Sequence, residues 1–447
     1  MIEENKKFAL YLGLGIEANN FILSGFASKL KDKNTDVMAL TNYDSEILDS
    51  LLTSNNITKV NIKKFNLRTK KRNKIEDKFL SSRRANLRLN GITPIGWRGN
   101  FTKKRKKDYL IGNSLVYTFY KNKTIKENKK HYFCEKLSEF LKEQNITDIV
   151  LQAYSAPDVI TLGITANKLG IKVWLMNWGW KDFYINEFIP FQVNGFFTWS
   201  EKYLKLYQKY NKHIESSVFY SFGNIGFDSF WNYTPKKDLE YYSNKYKLDK
   251  SKPIVLYTMI NPDVYSKEID IINVILDKYK DNNIDINLLL KPNPMDNDNK
   301  KFDFLLKSYE NISVAENLWL YDKEHNFNLM TYKAKEEWMD LLYYCSFTMN
   351  IASTVTIESL IMNKPVLNIG FGASKKDNEH ILAFGNSDYY KDLFLRDDVN
   401  LAKNTDELVN LTEIYLNFSS KQKTKIADIL VENSKATMNV ANIILKG

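Results

Sequence analysis

A chain of 447 residues exceeds one ordinary domain and suffices for two cores of about 200 residues each. With 44 % hydrophobic and 26 % charged residues it is not a disordered chain, and the absence of any apolar run of about 18 residues excludes a membrane-spanning helix on sequence grounds. The net charge of +11 conceals an uneven distribution: residues 63–130 hold 22 Lys+Arg against 4 Asp+Glu, or +18, which leaves −7 for the remainder.

The start, Met1–Lys7, is polar and lacks a signal-peptide core. Lys7–Leu12 reads as the first strand, followed by the turn Gly13-Leu14-Gly15 and a helix beginning near Glu17; Asp36–Leu40 reads as the second strand. The G-x-G turn is a weak dinucleotide signal, because Ala18 stands where the third glycine belongs. The basic segment 63–130 follows, with Lys70-Lys71-Arg72, Arg83-Arg84 and Lys103-Lys104-Arg105-Lys106-Lys107 interleaved with Phe79, Leu87, Leu89, Trp97 and Phe101. It reads either as a solvated insertion of salt-bridged helices, as a surface for anionic lipid at about 1 kcal/mol per nearby cation, or as a receiver of an anionic acceptor. Nucleic acid is not expected, since no recognised binding signature is present and the rest of the chain is acidic. Helix Lys130–Glu143, strand Asp148–Gln152, helix Val159–Leu169 and strand Lys172–Met176 come next, with Gly170 at the helix exit. Strand and turn signals near Gly195–Trp199 and Val218–Phe222 complete a first domain.

Pro235, Lys236 and Lys237 interrupt the pattern, which puts a linker within Tyr233–Ser251. The second domain is expected to contain strand Pro253–Thr258, helix Ser266–Lys280, strand Ile286–Leu290, strand Asn311–Val314, helix Ala334–Tyr344 and strand Phe347–Asn350. Ile286–Leu290 runs into Lys291-Pro292-Asn293-Pro294, a rigid turn that offers a cation and an amide. Phe347–Asn350 runs into a hydroxyl-rich turn with Ser353 and Thr354, then a helix Thr354–Met362 that ends near Asn363 and is blocked by Pro365. Unpaired N–H groups at such a helix start attract phosphate; an ordinary capped helix is the alternative. Thr258, Lys291 and Ser353 all follow strands, at the edge where parallel sheets bind ligands. A last helix, about Ser420–Asn439, places Ile426, Ile429, Leu430 and Met438 on one face. Cys134 and Cys345 form no redox or metal spacing, so a reducing cytoplasm is expected, and His131, His213, His325 and His380 give no zinc pattern.

The order of these segments resembles GT-B glycosyltransferases, especially bacterial surface-polysaccharide enzymes. Ser353, Thr354 and Glu358, then Asn363-Lys364-Pro365-Val366-Leu367-Asn368, are similar to that group's S-T-x-x-x-E helix and G-K-P-V-I/L-N segment. Asn177-Trp178-Gly179-Trp180, Phe197-Thr198-Trp199-Ser200-Glu201 and Phe222-Gly223-Asn224-Ile225-Gly226-Phe227-Asp228 resemble its H-x-W-D, V-W-G/S-E and T-G-x-x-x-F/Y-D series. Two departures stand out. Lys291-Pro292-Asn293-Pro294 replaces R-P-H-P, so Asn293 brings an amide in place of an imidazole, and the second glutamate of E-x7-E is Val366. The latter favours inversion.

The resemblance implies an α/β fold of two Rossmann-like parallel-sheet domains: an acceptor-side domain over 1–235 with the basic insertion, a nucleotide-sugar domain over 236–418, and a C-terminal helix within 419–447 packing back on the first. It implies a cytoplasmic, metal-independent glycosyltransferase, peripheral on the membrane, that extends a glycan or polyprenyl-linked acceptor of capsule or lipopolysaccharide synthesis. Lys291, Asn293, Ser353, Thr354, Thr356, Glu358 and Gly223 would bind the donor, and Asn19, Trp178 and Trp180 the acceptor. A general base is needed; Asp182 ranks first, then Glu17, with Asp158 a further candidate. Caps or core aromatics are the structural alternative for each. Asp296-Asn297-Asp298 superficially resembles a D-x-D metal site but reads as a turn with capping acids, so no cofactor or metal is expected. Hydrolysing nucleotide-sugar 2-epimerases and teichoic-acid glycerophosphotransferases share the design and are the nearest alternatives; a non-catalytic binding protein for membrane or polyanion is the remaining one.

Overall fold

The computed structural model describes residues 6–31, 35–95, 106–152, 155–186, 188–296, 298–322, 327–418, 426, 429–432 and 435–447. Trp97, Phe101, Lys103 to Arg105, Asn297 and His325 lie outside them. Two compact units emerge: Met1–Asp228 with Asp322–Leu329 and Ala427–Gly447, and Ser229–Tyr321 with Met330–Ile426.

The first unit is built on seven parallel strands: β1 (Lys6–Leu12), β2 (Thr35–Thr41), β3 (Thr58–Asn61), β4 (Asp148–Leu151), β5 (Lys172–Met176), β6 (Gly195–Thr198) and β7 (Phe219–Ser221). Their spatial order is β3-β2-β1-β4-β5-β6-β7, with Leu10 opposite Ala39 on one side and Val150 on the other. Central strands such as KKFALYL and DIVL are apolar runs because helices cover both faces. The described part of the basic segment is largely helical, with Lys74–Leu89 capped by Asn73, then Asp108–Ile111, then Ser114–His131 capped by Asn113. Part of its charge is used internally: Arg88 grips the buried Asp108 at 2.6 and 2.7 Å, and Lys121 donates to the Tyr210 carbonyl at 2.8 Å.

The second unit has six parallel strands: β8 (Ile254–Thr258), β9 (Asn287–Lys291), β10 (Ile312–Val314), β11 (Phe347–Asn350), β12 (Val366–Ile369) and β13 (Val399–Ala402). Their order is β10-β9-β8-β11-β12-β13. Each sheet therefore reverses its direction of growth once, between β1 and β4 and between β8 and β11, which is the Rossmann plan.

Three elements differ from expectation. Tyr233–Ser251 is no open linker: it carries the helix Leu239–Tyr246, and the buried Asp340 accepts from Tyr233 Oη at 2.7 Å, Lys236 N at 2.8 Å and Tyr242 Oη at 2.7 Å. The helix expected from Lys130 starts at Glu135, because the preceding helix runs on to His131 and Cys134 before Glu135 is extended. The last helix runs Ala436–Lys446, later than expected, and Asp228 caps it by accepting from Ala436 N at 3.0 Å and Thr437 N at 2.7 Å. Its Val440, Ala441 and Ile444 join the core formed by Phe21, Phe26 and Leu30.

Candidate functional site

In the first unit the reversal point lies where β1 and β4 end. Tyr11, one residue from the end of β1, donates to Asp158 Oδ2 at 2.5 Å and accepts from Asn42 Nδ2 at 2.7 Å. Asp158 opens the helix Pro157–Leu169 after β4 and is buried. Arg68 reaches in from the basic segment: its Nε lies 2.7 Å from Asp158 Oδ2, and its terminal nitrogens donate to the Gly13 carbonyl and Tyr43 Oη. Glu17 is buried in the first turn after Gly15 and accepts from Leu14 N at 2.7 Å. Burial pushes its carboxyl up to about 8, opposed by backbone N–H groups and Arg68 and reinforced by Asp158. A carboxyl poised near neutral pH at a strand edge suits proton transfer.

Asn19 begins a turn of π-helix, Asn19–Leu23, a geometry frequent at functional sites. Its Oδ1 is out of solvent and accepts nothing among the described residues. The helix start is tightly packed, since a Cβ on Gly15 would lie 1.6 Å from the Asn328 carbonyl oxygen. That packing, rather than a pyrophosphate, accounts for the second glycine.

Two strands along, after β5, Asp182 Oδ2 accepts from Gly179 N at 2.6 Å and Asn177 Nδ2 at 3.0 Å. Burial pushes it up to about 7 against those bonds and Lys181. Trp180 is wholly buried and Trp178 half-buried. Asp182 thus closes the turn carrying both tryptophans.

In the second unit, β8 ends at Thr258, β9 at Lys291 and β11 at Asn350, all on the carboxyl edge. Asn350 organises the turn that follows: its Oδ1 accepts from Ser353 N at 2.9 Å and its Nδ2 donates to Thr356 Oγ1 at 3.1 Å. Between them Ala352 has φ +45°, a left-handed conformation that a non-glycine residue adopts at a cost. Ser353 and Thr354 are left half-exposed, whereas Thr356 is buried and hydrogen-bonded to Tyr390, which donates to Asn368 Oδ1 at 2.5 Å. Thr356 therefore holds the turn from below.

Lys291 donates to the Glu316 carbonyl at 3.0 Å, and burial pushes its ammonium down to about 8, with Glu337 opposing. Asn293 Oδ1 accepts from Met295 N at 3.0 Å, which fixes the Pro292–Pro294 turn. Glu358 accepts from Trp338 Nε1 at 2.7 Å; burial pushes it up to about 7. Gly223 belongs to the first unit. Its φ is +89° and a Cβ there would stand 3.3 Å from the Val431 carbonyl.

The structure thus gathers Glu17 and Asp158 at one edge, and Lys291, Ser353, Thr354 and Asn350 at another. Sequence reasoning missed Tyr11, Asn42, Tyr43 and Arg68. The first three look like ordinary strand-end residues, and Arg68 was one cation among 22 in its segment.

No protein-family model and no curated protein matches the chain. Solved structures do. UDP-GlcNAc 2-epimerase from Methanocaldococcus jannaschii aligns with a TM-score of 0.58 at 15 % identity, over 99 % of this chain and 100 % of that one. UDP-GlcNAc 2-epimerase from Neisseria meningitidis, bound to UDP-GlcNAc, aligns at 0.55 and 11 % identity over 99 % and 100 %. S. aureus MnaA in a co-structure with UDP aligns at 0.53 and 12 % over 98 % and 96 %. At these identities the likeness establishes the fold, a GT-B-like architecture of two Rossmann-like units with helical insertions.

It also corrects the expected family. Solved structures that align with the chain from end to end include UDP-GlcNAc 2-epimerases, so the expected membership of the surface-polysaccharide glycosyltransferases, transfer to a glycan acceptor, and a capsule or lipopolysaccharide role give way. The physical reason is visible in the quoted segments, which report fold and not transfer. Gly223 and Asp228 seat the C-terminal helix, Asp182 closes its own turn, and Asn368 lies in the network under Thr356.

Proposed function

We propose that this chain is a cytoplasmic, metal-independent enzyme that acts on a UDP-GlcNAc-type nucleotide sugar and changes it at C2, releasing or returning UDP with no glycan acceptor. The observation that carries this reading is the full-length likeness to UDP-GlcNAc 2-epimerases, joined to a strand edge in the second unit that presents a cation, hydroxyls and a held-open turn. The C2–H bond of such a sugar is only weakly acidic. Removing that proton becomes feasible when its electron pair forms the C1=C2 bond while the C1–O bond to the diphosphate breaks. Re-addition of the diphosphate with reprotonation on the opposite face gives the 2-epimer, and addition of water in its place gives the free sugar and UDP.

This chemistry needs a base for the proton and a cation for the departing diphosphate. Glu17 is our candidate for the first, because its carboxyl titrates near neutral pH beside Asp158 and Arg68. Lys291, with Ser353, Thr354 and the amides of their turn, is our candidate for the second. The test is incubation with UDP-GlcNAc in D2O, followed by proton NMR. Loss of the H2 signal, with a 2-epimer or free UDP and no acceptor added, is the expected result. An unchanged spectrum from protein that binds UDP would sink the reading.

A second observation bears on where the enzyme works. Tyr109, Leu110, Leu115 and Phe119 are exposed, Leu110 at 77 % and Leu115 at 80 %. Lys106, Lys107 and Lys123 are exposed in the same helical segment, Lys123 over the Phe119 ring. Apolar side chains flanked by cations match an anionic membrane surface, so we read the insertion as a peripheral contact with anionic lipid.

A further inference from the structure

Described residues of the helical insertion line a cavity of about 200 Å³ together with Ser155, Ile185, Asn186, Phe188 and Pro190. At about 30 Å³ per water it has room for roughly six or seven waters. Three guanidinium groups line it, those of Arg72, Arg83 and Arg84, against the carboxylate of Glu76, so the described lining carries two positive charges in excess.

The arginines are not equivalent. Arg83 is buried and anchored, donating to the Ile185 carbonyl at 2.6 Å and to Asn186. Arg84 is exposed at the mouth and has no ion-pair partner among the described residues. Arg72 reaches Glu76 only at 3.7 Å, and Glu76 is already satisfied by Tyr132 Oη at 2.8 Å. Partial burial, and after it the neighbouring Arg83, Arg72 and Arg88, push the Arg84 guanidinium below its ordinary value. On the inner wall Thr124 is 1 % exposed, and its hydroxyl has no hydrogen-bond partner among the described residues. A buried hydroxyl left unpaired is destabilising, so a polar ligand that reaches it gains by pairing it.

We propose that this cavity binds a phosphate group, free or as a monoester, between the Arg72 and Arg84 guanidiniums with the Thr124 hydroxyl donating from within. Two excess charges match a phosphate dianion better than a carboxylate, and guanidinium forks pair two N–H groups with two phosphate oxygens. The proposal stands apart from the nucleotide reading, since Lys291, Ser353 and Thr354 take no part in it.

Isothermal titration with inorganic phosphate tests it. Arg72→Gln and Arg84→Gln, both at exposed positions where folding is undisturbed, should each weaken binding about tenfold. Thr124→Val should weaken it several-fold, with circular dichroism confirming an intact fold. The double variant Ser353→Ala/Thr354→Val should bind phosphate like the wild type. Displacement of phosphate by glucose 6-phosphate would assign a soluble ester, and displacement by phosphatidate vesicles a lipid headgroup. Phosphate affinity unchanged in both arginine variants, or no measurable phosphate binding, would overturn the proposal, and displacement by neither competitor would assign the site to free phosphate.

Discussion

Arg68 Nε lies 2.7 Å from Asp158 Oδ2 across 90 residues of sequence, and the same oxygen accepts from Tyr11 Oη at 2.5 Å. Among the described residues this buried carboxylate has Arg68 as its one ion-pair partner, and that cation comes from a segment that otherwise resembles a solvated basic insertion. Arg68→Gln should cost about 1–3 kcal/mol in urea unfolding. Breaking a buried pair costs more than that, but the Arg68 side chain is 38 % exposed and water screens part of the interaction. Unchanged unfolding midpoints would show that Tyr11 and the Val159 N–H satisfy Asp158 without Arg68.

Glu17 makes stability depend on pH in an unusual sense. Its folded value, about 8, lies above the ordinary 4.5. Between those values the native state holds the extra proton, so the contribution is full at low pH and is lost as pH rises through about 8. Glu17→Gln mimics the protonated form. It should match the wild type near pH 4 and exceed it by on the order of 5 kcal/mol at pH 9, as a rise from 4.5 to about 8 implies. Parallel stability curves for the two proteins would refute this.

The same substitution separates stability from chemistry. If Glu17 takes the C2 proton, wild-type turnover rises with pH toward about 8 as the carboxylate forms, and Glu17→Gln loses at least about 100-fold in kcat. Deuterium exchange at C2 that persists in the variant at the wild-type rate would assign the base elsewhere.

At the second unit's edge, Ser353→Ala with Thr354→Val should weaken UDP binding about 10- to 100-fold, as lost hydrogen bonds to a charged ligand are worth about 1.5–3 kcal/mol together. The melting temperature should hardly move, because both side chains are half-exposed. By contrast Asn350→Ala removes the contacts to Ser353 N and Thr356 and should lower both. A fall in melting temperature for the serine–threonine variant without loss of UDP affinity would make those residues structural.

For the insertion, sedimentation with vesicles containing anionic phospholipid should recover the protein at low salt and lose it in Leu110→Glu/Leu115→Glu. Equal recovery of the double variant, or recovery indifferent to lipid charge, would remove the membrane reading.

Much of the fold was legible because strands buried on both faces are short apolar runs: β1, β2, β4, β5, β8, β9 and β11 fall within two residues of expectation at each end. TKVN of β3 and VNLA of β13 were not legible. They are edge strands, and that half-exposed setting leaves no apolar signature. The last helix was misplaced because its cap, Asp228, lies 208 residues away in sequence. At the candidate site, Lys291 and Ser353 lie at or just beyond strand ends, where the sequence pattern puts them. Arg68 and Tyr11 were not legible, since their roles rest on contacts spanning 90 and 147 residues. The 222–228 segment misled for the same reason: glycine and aspartate at that spacing serve a distant helix start, which no local pattern reveals.

The Asp228 cap also orders events in time. The first unit owns residues 1–228 and 427–447, so its closing helix leaves the ribosome only after the whole second unit has been made. The 209 residues between Asp228 and Thr437 take roughly 10–40 s at 5–20 residues per second. Throughout that interval Phe26 and Leu30 lack the Val440 and Ile444 side chains that finally cover them. A nascent chain stalled before Ala436 should therefore recruit holding chaperones through its first two hundred residues, although those residues were the earliest to be synthesised.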